Sequence, residues 1–186
     1  MTKGFGPDAV RAAAAAGLRM IGENYAQELV TKAPVAASSG LAVHFIGQLQ
    51  SNKVRQLAGT VDVYETVDRR RLVDELVKRA PGATVLVQVD TTGEPGKGGC
   101  PVDDVAALVE AARAAGLDVD GLMTVGPTTG GPEAARPGFR TVRRLVDDLG
   151  LRTCSMGMSA DLDVAVAEGS TRVRVGTALF GPRRTR

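Results

Sequence analysis

Four times along this chain a glycine closes a stretch of helical spacing and an apolar run of strand length follows, at Gly17, Gly116, Gly150 and Gly169. Glycine adopts the left-handed conformation that ends a helix at the least steric cost, so such a repeat marks helix stops. Seven runs have the length and composition of strands: 19–22, 43–47, 61–66, 84–90, 119–125, 152–156 and 172–178. Between them, Val105, Leu108, Val109 and Ala112, and again Val142, Leu145, Val146 and Leu149, follow the spacing of one buried helix face. Pro7 and Pro132 each follow a glycine where a first helical turn would begin, a position that does not need the missing N–H. An alternation of this kind restricts the chain to right-handed βαβ crossovers and a parallel sheet, either doubly wound or closed as a barrel.

A closed barrel needs eight strands, and the order here starts on a helix and ends on a strand. Met1, Thr2 and Lys3 therefore read as the last residues of a first strand, and Gly4-Phe5-Gly6 as its βα loop. The backbone edges flanking the gap should be unpaired and favour association. At 186 residues the chain has the length of a single domain, 1–186. Aromatic residues make up 3% of it and Trp is absent, so Val, Leu, Ala and Ile must build the core, which suits buried parallel strands. A net charge of +2 argues against nucleic-acid binding. The longest apolar run, 12–16, is far short of a membrane span of roughly 20 residues. The N-terminus lacks the apolar stretch of a signal peptide, and Cys100 and Cys154 form neither a CxxC pair nor a disulfide framework, so a cytoplasmic protein is expected.

Ligands of parallel α/β folds sit at the C-terminal ends of strands, and barrel phosphate sites commonly follow strands seven and eight. In the chain those places are 154–161, with Gly157 and Ser159, and 174–177, with Gly176 and Thr177: glycine for close backbone approach and hydroxyls to bind an anion. Ser159 reads equally as the N-cap of a helix starting near Asp161. Two-residue alternation puts Arg174 and Gly176 on the face opposite Val173 and Val175, so Arg174 is either half of an internal ion pair or faces a ligand acceptor. A lysine at the position of Lys3, beside the last strand of a closed barrel, reaches the same site, and a desolvated lysine forms Schiff bases with aldehydes. The glycine-rich stretch 93–99 fails the P-loop spacing and reads as a flexible βα loop. His44, without a second histidine or clustered cysteines, reads as a satisfied barrel-interior residue, so no metal site and no Ser-His-Asp relay is expected.

Five segments in order carry a resemblance: Gly22-Glu23-Asn24-Tyr25, His44-Phe45-Ile46-Gly47 with Leu49-Gln50-Ser51-Asn52-Lys53, Gly121-Leu122-Met123, Ser155-Met156-Gly157-Met158-Ser159, and Arg174-Val175-Gly176-Thr177-Ala178-Leu179-Phe180-Gly181. Over nearly its whole length the chain resembles the pyridoxal phosphate homeostasis proteins (YggS/PROSC family). The resemblance implies a TIM-type (β/α)8 barrel of the alanine racemase N-terminal-domain kind, here without most of the first strand and without the leading helix. Either the true start lies upstream or the barrel is open at that point. It further implies that pyridoxal 5′-phosphate (PLP) is held as a Schiff base on Lys3, with Met158, Ser159, Gly176 and Thr177 at the phosphate. Arg174 would lie at the pyridine nitrogen and Asn24 in the pocket, with Lys53 and Lys97 at the mouth.

An arginine at the ring nitrogen weakens the ring as an electron sink, whereas an acidic group strengthens it. The expectation is thus a PLP carrier of intracellular vitamin B6 homeostasis rather than an enzyme, with PLP-dependent apo-enzymes as recipients, in a monomer or weak dimer. The alternative is a PLP-dependent amino-acid racemase, which needs a second base; Tyr25 is the candidate, and Tyr64 is the only other tyrosine. A phosphosugar-type barrel enzyme or an interaction scaffold would use the same frame without PLP.

Overall fold

In the computed structural model, which describes residues 1–182, helices and parallel strands alternate as the glycine stops require. Helix α1 (Pro7–Ala15) leads into β1 (Met20–Glu23), α2 (Ala26–Ser38), β2 (Ala42–Phe45), α3 (Ser51–Leu57), β3 (Val63–Val67) and α4 (Arg70–Arg79). The second half runs β4 (Thr84–Asp90), β5 (Cys100–Pro101), α5 (Val105–Ala114), β6 (Asp118–Met123), α6 (Arg136–Asp148), β7 (Thr153–Ser155), α7 (Leu162–Ala167) and the single turn α8 (Thr177–Phe180). All four stop glycines are left-handed, with φ of 74° at Gly17, 89° at Gly116, 60° at Gly150 and 82° at Gly169. The strand order is β1-β2-β3-β4-β6-β7, every pairing parallel, with the two-residue β5 added to the end of β4. The sequence does not announce β5, because a two-residue strand carries no periodicity.

The last expected strand, 172–178, is overturned. Its ladder with β7 is a single bridge, Ser155 to Arg172, extended by Arg174 N–H donating to Gly157 O (2.9 Å). From Thr177 the backbone turns into α8 instead of continuing. Strand composition is not sufficient here, because a strand also needs a ladder of paired neighbours.

Those two residues nonetheless bridge the ring. The Met1 amino group donates to Val175 O (2.7 Å), and Thr2 N–H donates to Gly22 O (3.2 Å). Phe5 and Phe180 then meet with ring centroids 5.4 Å apart, joining the first loop to α8. The gap left beneath Met1 is lined by β1 and the 172–175 segment, and Leu18 and Met20 remain exposed beside it.

The core between sheet and helices is Val, Leu and Ala, as the aromatic-poor composition demands, with Phe139 of α6 and Tyr64 of β3 its largest fully buried side chains. Strand separation in this sheet depends on Gly121. A Cβ there would lie 2.0 Å from Thr153 O of β7, so any side chain must push β6 and β7 apart. Gly121→Ala is expected to lower stability by about 1–3 kcal/mol, as overpacking does in close-packed interiors. Urea unfolding measures it, and an unchanged midpoint would contradict the packing described.

Candidate binding site

The strands open at their C-terminal ends onto one pocket of about 430 Å³ lined by all seven residues singled out in the sequence: Lys3, Asn24, Met158, Ser159, Arg174, Gly176 and Thr177. Phe5, Ile46, Met123 and Val125 supply apolar wall, so a few polar groups converge in a mainly hydrophobic cleft.

Ser159 is not a helix cap. Helix α7 starts at Leu162 after Asp161, and the Ser159 hydroxyl instead accepts from Ala178 N–H (3.4 Å), tying the two hydroxyl-bearing segments together. Asp161 holds the Met158 N–H (2.6 Å). Asn24 follows β1 and is fixed by close approach: a Cβ on Gly47 would fall 1.9 Å from Asn24 O. Its side-chain Oδ1 is buried without a hydrogen-bond partner among the described residues. Lys3 lies with its ammonium 5.8 Å from the Tyr25 ring centroid.

Among the described residues Arg174 makes no ion pair; the guanidinium paired with Glu65 is that of Arg172, at 3.5 Å. Arg174 is 7% exposed, lines the pocket, and donates to Ser155 O (2.8 Å), Ser155 Oγ (2.9 Å) and Thr124 O (2.6 Å). Behind it, Ser155 Oγ donates to Glu65 (2.7 Å), which also accepts from His44 Nδ1 (2.6 Å). His44 is thus a satisfied interior residue. Burial pushes the Glu65 carboxyl upward, but the His44 hydrogen bond and the nearby Arg174 charge outweigh it and hold the group below the usual carboxylate range. Burial likewise pulls the Arg174 guanidinium below its ordinary value, with Glu65 opposing. Glu65 is absent from the sequence reading, since an acidic residue inside an apolar run gives no periodic signal.

In the 93–99 loop Lys97 donates to Gly126 O (2.6 Å), and Glu94, bonded by Thr128 and Lys97, is held down at about 2. Lys97 is therefore not among the pocket-lining residues, and Lys53 lines a neighbouring cleft with Tyr25 and Gln48. Tyr64 is fully buried, with its phenol raised to about 12 by desolvation. Among the described residues no group of three metal-ligating side chains occurs, and no helix is long and apolar enough to cross a membrane.

The alanine racemase N-terminal domain family matches residues 2–184. The pyridoxal phosphate homeostasis protein of Pseudomonas aeruginosa is 44% identical over 182 residues, 94% of this chain and 79% of that protein. The protein of the same name from Aquifex aeolicus is 41% identical over 189 residues, covering 96% and 83%. Among solved structures, PipY of Synechococcus elongatus without PLP superposes with a TM-score of 0.88 at 32% identity over 97% of this chain and 90% of that one. PipY with PLP bound gives 0.85 at 31% over the same shares. A lysine decarboxylase from Selenomonas ruminantium, at TM-score 0.69 and 19% identity over 91% of this chain and 51% of that one, shares the fold alone.

Removing Glu65 leaves His44 and the Ser155 hydroxyl without their common acceptor and the Arg172 guanidinium without its partner, and Glu65→Ala is expected to cost about 3–5 kcal/mol, as breaking a buried pair does. Because the folded-state pKa is depressed, this contribution is complete above the unfolded carboxyl value of about 4.3 and is lost as pH falls below it. Urea unfolding at a series of pH values should therefore show a constant gap between the two proteins at neutral pH that narrows in acid. A gap that widens on acidification would contradict the assignment.

Proposed function

The chain belongs to the pyridoxal phosphate homeostasis proteins, within the alanine racemase N-terminal domain family, and on that premise we propose that it binds PLP in intracellular vitamin B6 homeostasis, holding the cofactor as a Schiff base on Lys3 without efficient turnover. The observation that carries this reading is the convergence of a lysine, two hydroxyls with a glycine between strand ends, and a buried arginine on one apolar-walled pocket. PLP supplies an aldehyde that condenses with a lysine amine with loss of water. Ser159, Gly176 and Thr177 would hold the phosphate, Met158 with them where its N–H exchanges Asp161 for the anion. The orphaned Asn24 Oδ1 offers an acceptor in a pocket otherwise rich in donors, which fits a polar ligand that brings its own hydrogen.

A carrier is favoured over a racemase by the residues that would have to move protons. Arg174, positively charged and fixed by three hydrogen bonds, is the group assigned to the ring nitrogen, where it opposes protonation of that nitrogen. Of the two tyrosines, Tyr64 is buried away from the pocket, and Tyr25 is 54% exposed and lines the neighbouring cleft. Apo-enzymes dependent on PLP are the proposed recipients, a cytoplasmic setting the proposed location, and a monomer or weak dimer the proposed state.

Thr177→Val removes one hydrogen bond to a charged group and should weaken PLP binding by about 1.5–3 kcal/mol. Lys3→Ala should abolish the cofactor adduct that borohydride fixes in the parent protein, with peptide mapping to locate it. Fixation on Lys53 or Lys97, or rapid racemisation of alanine by the parent protein, would overturn the reading.

A further inference from the structure

The backbone on both sides of Lys3 is gripped by an ion cluster that the pocket itself does not contain. Lys32 of α2, 3% exposed, donates to Thr2 O (2.8 Å), Glu23 Oε1 (2.8 Å) and Glu28 Oε2 (3.2 Å). The Thr2 hydroxyl donates to the same Glu23 oxygen, and Gly4 N–H donates to the same Glu28 oxygen (2.8 Å). Residues 2 and 4 are thus tied to side chains one turn apart on a single helix face.

Stability alone does not explain this arrangement. Glu23 is fully buried, its other oxygen has no partner among the described residues, and desolvation raises its pKa in spite of Lys32. An apolar pair of similar volume would serve the core at least as well. What the charges add is direction: a buried ammonium with three fixed acceptors holds the Thr2 peptide group in one orientation, and Glu28 does the same for Gly4. Thr2 meets β1 through one backbone hydrogen bond, to Gly22 O (3.2 Å), and a reactive side chain must be supported by locked neighbours.

We propose that Lys32, with Glu23 and Glu28, is the positioning residue that presents Lys3 to the pocket. The inference rests on Lys3 being the cofactor lysine. Lys32 itself is no candidate for the covalent link, because its ammonium is buried and committed to three acceptors.

The test separates phosphate binding from attachment. Pyridoxamine 5′-phosphate shares the phosphate and ring of PLP but carries an amine in place of the aldehyde, so it cannot link to a lysine. In Lys32→Met, fixation of PLP on Lys3 by borohydride should slow by about tenfold, while affinity for pyridoxamine 5′-phosphate stays within about twofold, since misplacement affects the reacting group and not the distant anchor. Glu28→Ala, at a half-exposed position that leaves the core intact, should slow fixation in the same direction and speed amide hydrogen exchange at Gly4 in the cofactor-free protein. If Lys32→Met fails to fold, Glu28→Ala decides alone. Fixation at the parent rate in the folded variants overturns the proposal. So does a parallel loss of pyridoxamine 5′-phosphate binding, which would make the cluster merely structural. A parent protein that fixes no PLP on Lys3 would instead overturn the function reading beneath it.

Discussion

Two backbone hydrogen bonds, Met1 to Val175 and Thr2 to Gly22, decide the character of this fold. On one side of them the sheet is an ordinary succession of parallel strands, each buried by the helix that follows it. On the other, the 172–175 segment runs beside β7, joined to it by the Ser155–Arg172 bridge. Because these two bonds join the segments at the C-terminal ends of the strands, the ring is bridged where the pocket lies. The site inherits its geometry from this bridge, since Lys3 and Gly176 come together only if residues 1–2 and 175 do.

Buried polar groups add order around this bridge. Two clusters carry it. His44, Glu65, Ser155 and Arg174 cross the barrel interior and fix the arginine from behind; Thr2, Glu23, Glu28 and Lys32 fix the lysine from the helix side. Buried charges are expensive to desolvate, and the two clusters meet that cost differently. Glu65 has donors on both oxygens and is held ionised, whereas Glu23 has one oxygen unpartnered and is pushed toward protonation. The contrast follows from donor supply: the barrel interior offers a histidine, a hydroxyl and a guanidinium, while the cluster beside Thr2 offers one ammonium and one hydroxyl.

Much of this was legible in the residues. Glycine stops and helical spacing set the βα alternation, because both report local backbone conformation directly. Hydroxyl and glycine residues at the ends of the last two runs marked the pocket, because parallel folds place ligands there. The final run misled for the opposite reason: Val173 and Val175 have strand propensity, but a strand also needs a neighbour, and pairing is a property of the whole ring. Ser159 was ambiguous for a similar cause, since a cap and an anion ligand are the same hydroxyl until the helix start is known. Glu65, Glu23 and Lys32 were invisible, as charged residues in apolar runs or on a helix look solvent-facing until the fold turns them inward.

The pocket draws its polar groups from segments far apart in sequence, Lys3 on one side and Ser159 to Thr177 on the other, and the bridge partners Met1 and Val175 are 174 positions apart. A ligand held by both groups acts as a staple across the residues between them, opposing the loop-closure entropy that separates the two segments on unfolding. It also binds only the folded chain, so its free energy of binding adds to the stability of every element in between.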